Sequence, residues 1–268
     1  MFGMLLDRLH GIYRYRYFIL GSVRRDFAAR YRQSLLGAAW AVFNPLAMIF
    51  IYTVIFSQIM HAKLPGTEGD YAYSIYLCAG MLTWNLFTDI VGRGQCVFLE
   101  NANLLKKLNF SRLCLPVIVI LNAVIQFAII FSLFLLFLLM TKQFPGWPLC
   151  AVVPLLLLQI LFAISLGLAL GIVNVFFRDV GQFFGIFLQF WFWLTPIVYP
   201  LAILPESVQP WVMWNPMARL IGAYQTIFVH QAWPDGRALL PVVVVSGLMC
   251  ILAWRLFQRR ADEMVDEL

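Results

Sequence analysis

Asp89 is the one carboxylate of this sequence that falls inside a long apolar stretch. Arg93 follows four residues later, so on a helix both side chains lie on one face, and we expect an ion pair at the helix end. Proton and sodium relays instead need ionisable or oxygen ligands near the middle of a membrane. The amides of Asn122, Gln126 and Gln159 carry no proton. An ion-coupled secondary transporter is therefore poorly supported and is kept as a remote alternative.

The sequence also offers few residues that could carry out hydrolysis or bind a metal. The histidines (His10, His61 and His230) lie outside the apolar stretches, and neither paired carboxylates nor a Ser/His/Asp arrangement is visible. The five cysteines are scattered without a CxxC pair, which predicts neither a disulfide framework nor a metal site. The sequence contains no GxxxxGK[ST] phosphate loop. We expect no catalytic residue, metal or cofactor in this chain, so any active transport must draw on ATP hydrolysed by a separate chain.

Aromatic side chains recur in three of the apolar stretches and suit a different chemistry. Sugar rings stack their C–H faces on aromatic planes, and a sliding polymer needs contacts that tolerate every repeat unit. Stacking meets that need better than fixed hydrogen bonds, as in channels for single-stranded nucleic acid. An interfacial belt or lipid-facing packing is the alternative for each residue. The candidates for a substrate path are Tyr52, Phe56, Trp84, Phe87, Phe187, Phe190, Trp191 and Trp193.

The elements that position these residues are membrane helices. The chain has 268 residues, of which 62% are hydrophobic and only 12% charged, and its mean hydropathy is +0.84. No soluble domain of this size hides so much apolar surface. We predict an all-α polytopic membrane protein with six transmembrane helices. The net charge of +6 does not indicate nucleic-acid binding, because the arginines cluster before the first span and after the last.

The predicted fifth span is shorter than the others. Five prolines between Pro196 and Pro216 interrupt the chain after it, and the apolar piece 217–229 is too short and too polar to cross with confidence. We predict two helical pieces that dip back from the outer face, which irregular backbone tolerates only when protein or a water-filled cavity shelters it. Pro45 predicts a kink or a late start in the first span. The six predicted spans are 36–60, 71–92, 113–140, 149–177, 180–194 and 238–257.

The distribution of cations orients these spans. An even number of crossings places both termini on one side, and if that side is cytoplasmic, fifteen Lys and Arg side chains lie inside and four outside. The positive-inside rule therefore supports cytoplasmic termini. We divide the chain into interface helices (1–34), a six-span domain (35–258) and a cytoplasmic tail (259–268). We find no internal repeat, which argues against an inverted-repeat transporter within one chain.

Two cytoplasmic segments could contact a partner. In the basic loop 93–116, an amphipathic piece with an Asn at its start is too short to cross a bilayer and could present its leucines to a partner; a solvated connector is the alternative. Before the first span, arginines alternate with an apolar face, which is typical of interfacial helices, although the arginines could instead only set the topology. The loop candidates are Asn101, Asn103, Leu104, Leu105, Lys106, Lys107 and Leu108; the interface-helix candidates are Arg24, Arg25, Phe27, Arg30 and Tyr31.

Small residues at four-residue spacing, Ala163, Gly167 and Gly171, would let another helix approach the fourth span closely. That helix could belong to this chain or to a second copy of it.

Several stretches, in order along nearly the whole chain, resemble the permease subunits of ABC transporters that export polysaccharides of the O-antigen and capsule type. No one stretch is decisive, but their order is fairly specific. They are RYRQSLLGAAW at 30–40 with NPL at 44–46, NLLKK at 103–107 with LP at 115–116, FRDV at 177–180, and TPIVY at 195–199 with WNPM at 214–217.

The resemblance implies a homodimer of six-span subunits in a bacterial inner membrane, with a channel between them for a lipid-linked glycan. Two ATP-binding cassette subunits, which would bind the ATP and Mg²⁺, would touch the interface helix, the coupling helix of the loop, and Arg178 and Asp179. A re-entrant region, 195–232, would form an outer gate. The gate candidates are Pro196, Tyr199, Trp211, Trp214 and Pro216.

General similarity favours O-antigen as the cargo. Teichoic acid, capsule, a small lipid or a drug moved by the same architecture are the alternatives.

Overall fold

The computed structural model describes residues 13–31, 36–59, 64, 69, 71–107, 113–260 and 263–267. Within this part the protein is helical and has no strand, so the predicted all-α class is confirmed. The helices are α1 (Arg16–Tyr31), α2 (Trp40–Tyr52), α3 (Ala72–Glu100), α4 (Ala102–Lys107), α5 (Cys114–Met140), α6 (Val152–Phe176), α7 (Asp179–Trp193), α8 (Gln209–Met213), α9 (Pro216–Val229), α10 (Gly236–Arg260) and α11 (Glu263–Glu267). A π-helical stretch, Thr53–Ile59, continues α2, and 3₁₀ turns precede α2 and α6.

Among the described residues, four helices are long and apolar enough to cross a membrane: α3, α5, α6 with its 3₁₀ turn, and α10. They coincide with the predicted second, third, fourth and last spans. The predicted first span is a shorter apolar helix, Trp40–Phe56, with Pro45 in its second turn. The second span does not end at Gly92 but continues as helix to Glu100, so the predicted basic loop is shorter than expected.

Helix α3 is the centre of the molecule, packed by α5, α6 and α9, while α10 lies along α6. The crossing of α3 and α6 is close because glycines meet there: a Cβ on Gly171 would lie 2.5 Å from the carbonyl oxygen of Gly94, and a Cβ on Gly167 would lie 3.3 Å from its Cα. Nearer the start of the two helices, the rings of Phe87 on α3 and Phe162 on α6 stack with 5.6 Å between their centroids. The predicted close approach at the small residues therefore occurs within this chain.

Helix α1 packs on α5. Ile19 and Val23 are buried against Cys114 and Ile118, and Phe27, half-buried, continues the same stripe one turn later. The face that we predict to lie in the membrane interface contains Phe27 and Tyr31, and the two residues that precede Phe27 on this stripe, Ile19 and Val23, pack against protein. Tyr31 is the last residue of α1.

Candidate functional site

A polar stripe runs along the surface of α3. Asn85 is exposed, Thr88 is half-buried, and Asp89 and Arg93 form the predicted ion pair, with Arg93 Nε 2.8 Å from Asp89 Oδ1. The spacing of three and four residues places all four on one helix face. Because exposed amide and charged groups are costly against hydrocarbon, this face of α3 is suited to water.

Two residues of the stripe, Asn85 and Asp89, line a cavity of about 400 Å³ between α2, α3 and α5. Helix α2 contributes Asn44 and Tyr52, and α5 contributes Gln126, so polar groups from three helices line it among apolar ones. Helix α7 also packs on α3 and on α6. We call the surface formed by the polar stripe and by its neighbours α2 and α7, which both pack on α3, the α3 groove.

Helix α7 has an exposed aromatic face. Phe187, Phe190 and Trp193 are 42%, 65% and 64% exposed, and Phe183 continues the series toward the start of the helix. Their three- and four-residue spacing forms a continuous stripe. Three of the predicted path residues therefore share one accessible face.

Other predicted path residues are placed differently. Trp84 and Phe87 are buried inside the protein, where their rings pack edge-on against that of half-buried Trp191 at 6.2 Å and 5.2 Å. The prediction that Trp84 and Phe87 face a path is wrong, because both point from α3 into the core. Tyr52 and Phe56 are half-buried, and Tyr52 lines the cavity between α2, α3 and α5.

The segment after α7 is fixed to α9 by a hydrogen-bonded network around Asn215. The indole Nε1 of Trp191 donates to Asn215 Oδ1 at 2.9 Å, and Asn215 Nδ2 donates to Thr195 Oγ1 at 2.9 Å. The same Oδ1 accepts from the backbone N–H of Met217 at 3.0 Å, which caps the start of α9. The cap leaves Pro216 as the first residue of α9, where its missing N–H costs nothing.

Asn215→Ala is expected to lower stability by about 2–4 kcal/mol, since it removes a helix cap and leaves the indole N–H of Trp191 without its acceptor. The purified protein should then aggregate at a lower temperature on heating in detergent. Asn103→Ala, at an exposed position of α4, is the matched control and should leave that temperature unchanged. Equal thermal midpoints for the two variants would contradict the role given to the network.

The predicted gate residues divide into buried and exposed groups. Pro196 is buried and Tyr199 is half-buried, with its hydroxyl donating to the carbonyl of Trp193 at 2.9 Å. Trp211 and Trp214, at α8 and just after it, are 78% and 84% exposed. The two tryptophans are therefore free to contact lipid, substrate or another protein.

The predicted coupling piece is a helix, α4, but its leucines do not all face outward. Leu105 is 9% exposed and belongs to the core, so it is not available to a partner, contrary to prediction. Asn103 and Lys106 are exposed, Leu104 is half-buried, α4 ends at Lys107, and Leu108 lies outside the described residues. The side-chain amide of Asn101, which precedes α4, donates to the carbonyl of Val97 at 2.9 Å and so caps the end of α3.

The α6–α7 turn is as short as predicted. Phe177 and Arg178 separate the two helices, and Asp179 is the first residue of α7; Arg178 and Asp179 are both exposed. Gly181 N–H donates to Asn174 Oδ1 at 2.9 Å, while Asn174 Nδ2 donates to the carbonyl of Gln95 at 3.0 Å, which ties this turn to α3.

A polar cavity of about 470 Å³ lies between α1, α3, α4 and α5. Arg25 and Asp26 line it from α1, Arg93 from α3 and Leu104 from α4. Asn122 on α5 donates to Asp26 Oδ2 at 2.9 Å. The two segments that the sequence suggested for a partner, α1 and α4, are therefore joined around one cavity.

Sequence reasoning missed the polar stripe and the residues that hold the segment after α7. Asn85 and Thr88 could have been found, because with Asp89 and Arg93 they repeat at helical spacing within an apolar helix. Tyr73 and Tyr76 carried no such signal, since their hydrogen-bond partners lie more than 100 residues away, at separations of 125 and 120.

The comparisons with known proteins agree with one another. Residues 18–229 match the family model described as ABC-2 type transporter. The chain is 29% identical over 259 residues to the O-antigen export system permease protein RfbA of Myxococcus xanthus, an alignment covering 96% of this chain and 97% of the relative. It is 27% identical over 207 residues to a protein of the same name from Klebsiella pneumoniae (77% and 78% coverage), and 21% identical over 245 residues to the polysialic acid transport protein KpsM of Escherichia coli (90% and 92%).

Proposed function

The chain belongs to the ABC-2 type transporter family, and from that premise we propose that it is the channel-forming subunit of a polysaccharide exporter. Its cargo is a lipid-linked glycan, the O-antigen of lipopolysaccharide, moved across a bacterial inner membrane. The names of its relatives in M. xanthus and K. pneumoniae support this choice of cargo.

The observation that carries the proposal is the α3 groove. A polar stripe with Asn85 exposed, beside the aromatic face of α7, offers both water and flat apolar rings to a sugar chain. Water wets the hydroxyl groups of the glycan, while rings accept any repeat unit by stacking. Asn85 and the aromatic face of α7 are exposed in a single copy of the chain, and because a second copy would enclose them, we propose a homodimer.

We further propose six membrane crossings, cytoplasmic termini and a re-entrant α9. Asn215, just before α9, bonds to Trp191, whose ring contacts Trp84 near the middle of α3. Val229, at the far end of α9, packs with Ala72 at the start of α3. Helix α9 thus runs from the depth of mid-α3 back to its outer end, which supports a piece that enters and leaves by one face.

Energy comes from two ATP-binding cassette subunits on the cytoplasmic side, which supply the ATP and Mg²⁺ sites. The exposed face of α4 and the turn at Arg178 and Asp179 form the contact. The cavity that α1 and α4 both line supports this assignment, because a partner bound at α4 would lie beside the interface helix and α3.

The experiment that tests the function is deletion of the gene, followed by separation of lipid-linked glycans by side of the inner membrane. Full-length polymer should accumulate on the cytoplasmic face while the cell surface lacks it. An unchanged glycan distribution would refute polysaccharide export and favour a small lipid or drug as the cargo. The likeness to KpsM keeps a capsule polymer as the second candidate, and the composition of the stranded glycan distinguishes the two.

Trp193→Ala and Phe190→Ala are each expected to slow export roughly three- to tenfold, because one aromatic contact contributes about 1 kcal/mol. The measurement is the rate at which pulse-labelled polymer reaches the surface. Trp233→Ala, a similarly exposed tryptophan in the linker before α10, is the control and should export normally. Equal rates for all three variants would remove the α7 face from the path.

A further inference from the structure

Side chains of α3 and α9 hold the carbonyl oxygens of the segment Thr195–Pro200, which follows α7. The hydroxyl of Tyr76 lies 3.0 Å from the carbonyl oxygen of Pro196 and 2.9 Å from that of Tyr199. The hydroxyl of Tyr73 donates to the carbonyl of Val198 at 2.5 Å. From α9, Gln225 Nε2 approaches the carbonyl of Pro196 at 3.4 Å. The carbonyl oxygens of the segment are therefore held mainly from α3, whereas Asn215, just before α9, holds the side chain of its first residue, Thr195.

The segment needs these donors because its own backbone supplies few. Pro196 and Pro200 have no N–H, and the residues between α7 and the next 3₁₀ turn form no regular helix. Thr195, Pro196 and Ile197 are buried, where a carbonyl without a donor is costly. Loss of a tyrosine hydroxyl would thus loosen the segment without removing any packing of the ring.

Tyr73 also contacts the opposite wall of the α3 groove. Its ring stacks on that of Phe56 with 5.3 Å between centroids and 24° between planes. Phe56 lies in the π-helical stretch Thr53–Ile59 that continues α2, whereas Val198 lies in the segment that continues α7. The side chain of Tyr73, in the first turn of α3, therefore contacts both the stretch that continues α2 and the segment that continues α7. Wide π-helical turns are uncommon and often mark places where a helix is adjusted for function.

We propose that Tyr73 and Tyr76, the tyrosine latch, are positioning residues that keep the outer end of the groove narrow between rounds of transport. They hold Thr195–Pro200 against α3, and Tyr73 links that segment to the end of α2. Passage of cargo separates the walls and breaks these hydrogen bonds, which re-form afterwards. The inference rests on the proposed function only in taking the α3 groove as the path.

The test uses the whole transporter, with its ATP-binding partner, reconstituted in liposomes loaded with potassium ions. Tyr73→Phe and Tyr76→Phe keep the rings and remove only the hydroxyl groups. Without ATP, each variant should leak potassium roughly fivefold faster than the wild type, as expected for one lost hydrogen bond that favours the narrow state. The double variant should leak more than either single variant.

Tyr71→Phe is the matched control. Tyr71 precedes α3 and packs its ring edge-on against Phe137 at 6.3 Å, and within the described residues its hydroxyl is not bonded to the segment after α7. Leak is expressed per assembled transporter, measured by size-exclusion chromatography. A purely structural role would lower the amount of assembled transporter without raising the leak of what remains.

The latch is refuted if the double variant assembles and leaks no faster than the wild type, or if Tyr71→Phe leaks equally. Because potassium leak requires no glycan, the two proposals fail separately. Raised leak together with an unchanged glycan distribution in the deletion strain would retain the latch and reject the cargo. Stranded polymer together with unchanged leak would retain the cargo and reject the latch.

Discussion

Gly171→Val is expected to prevent the protein from assembling. A Cβ at Gly171 would lie 2.5 Å from the carbonyl oxygen of Gly94, a backbone atom of α3 that cannot move unless the whole helix does. Overpacking by a methylene typically costs about 1–3 kcal/mol, and valine adds its two methyl groups at the same crossing. The yield of monodisperse protein after detergent extraction and the temperature of half-aggregation should both fall sharply.

Gly247→Val is the matched control for this prediction. Gly247 lies in α10, another apolar helix of membrane-spanning length, and a Cβ there would have no atom within 4 Å beyond its own helix. Gly171→Ala should fall between the two. A thermal midpoint for Gly171→Val equal to that of the wild type would show that the crossing of α3 and α6 is not the close contact described.

The four-residue spacing of Ala163, Gly167 and Gly171 was enough to predict a close helix approach, because it depends only on helical geometry. The partner, Gly94, could not be predicted, since its own neighbours in sequence are polar and it was assigned to a loop. Gly94 can meet Gly171 because α3 continues as a helix past Gly92. That continuation comes from packing on α6 rather than from hydropathy.

The exposure of the aromatic side chains could not be predicted from the sequence either. Trp84 and Phe190 are both large aromatic residues in apolar helices, yet Trp84 is 5% exposed and Phe190 is 65% exposed. Which side of a helix meets protein depends on its neighbours, and a helix apolar all round carries no periodic signal to tell them apart. Asn85 and Thr88 are the exception, because polar residues within an apolar helix mark its accessible face directly.

Lys106→Glu is expected to reduce export at least about tenfold while the homodimer still assembles. Among the α4 residues described, Asn103 and Lys106 are exposed three positions apart and so share one face, whereas Leu105 is buried. A charge reversal at an interface commonly costs 1.4 kcal/mol or more, which corresponds to about a tenfold weaker complex. The measurements are surface polymer in cells and the amount of ATP-binding subunit that co-purifies with the permease.

Leu105→Glu would be the wrong probe for this contact, although the sequence pointed to the leucines. It would place a carboxylate in the core and destabilise the protein whether or not a partner binds. Arg237→Glu is a better control, because it makes the same charge reversal at an exposed position on the proposed outer side.

Normal export by Lys106→Glu, with the ATP-binding subunit still bound, would place the coupling contact elsewhere, with the turn at Arg178 and Asp179 next to be tested. Partial loss that deepens at low salt and recovers at high salt would instead support a charge-dependent contact at α4, since salt screens exposed charges.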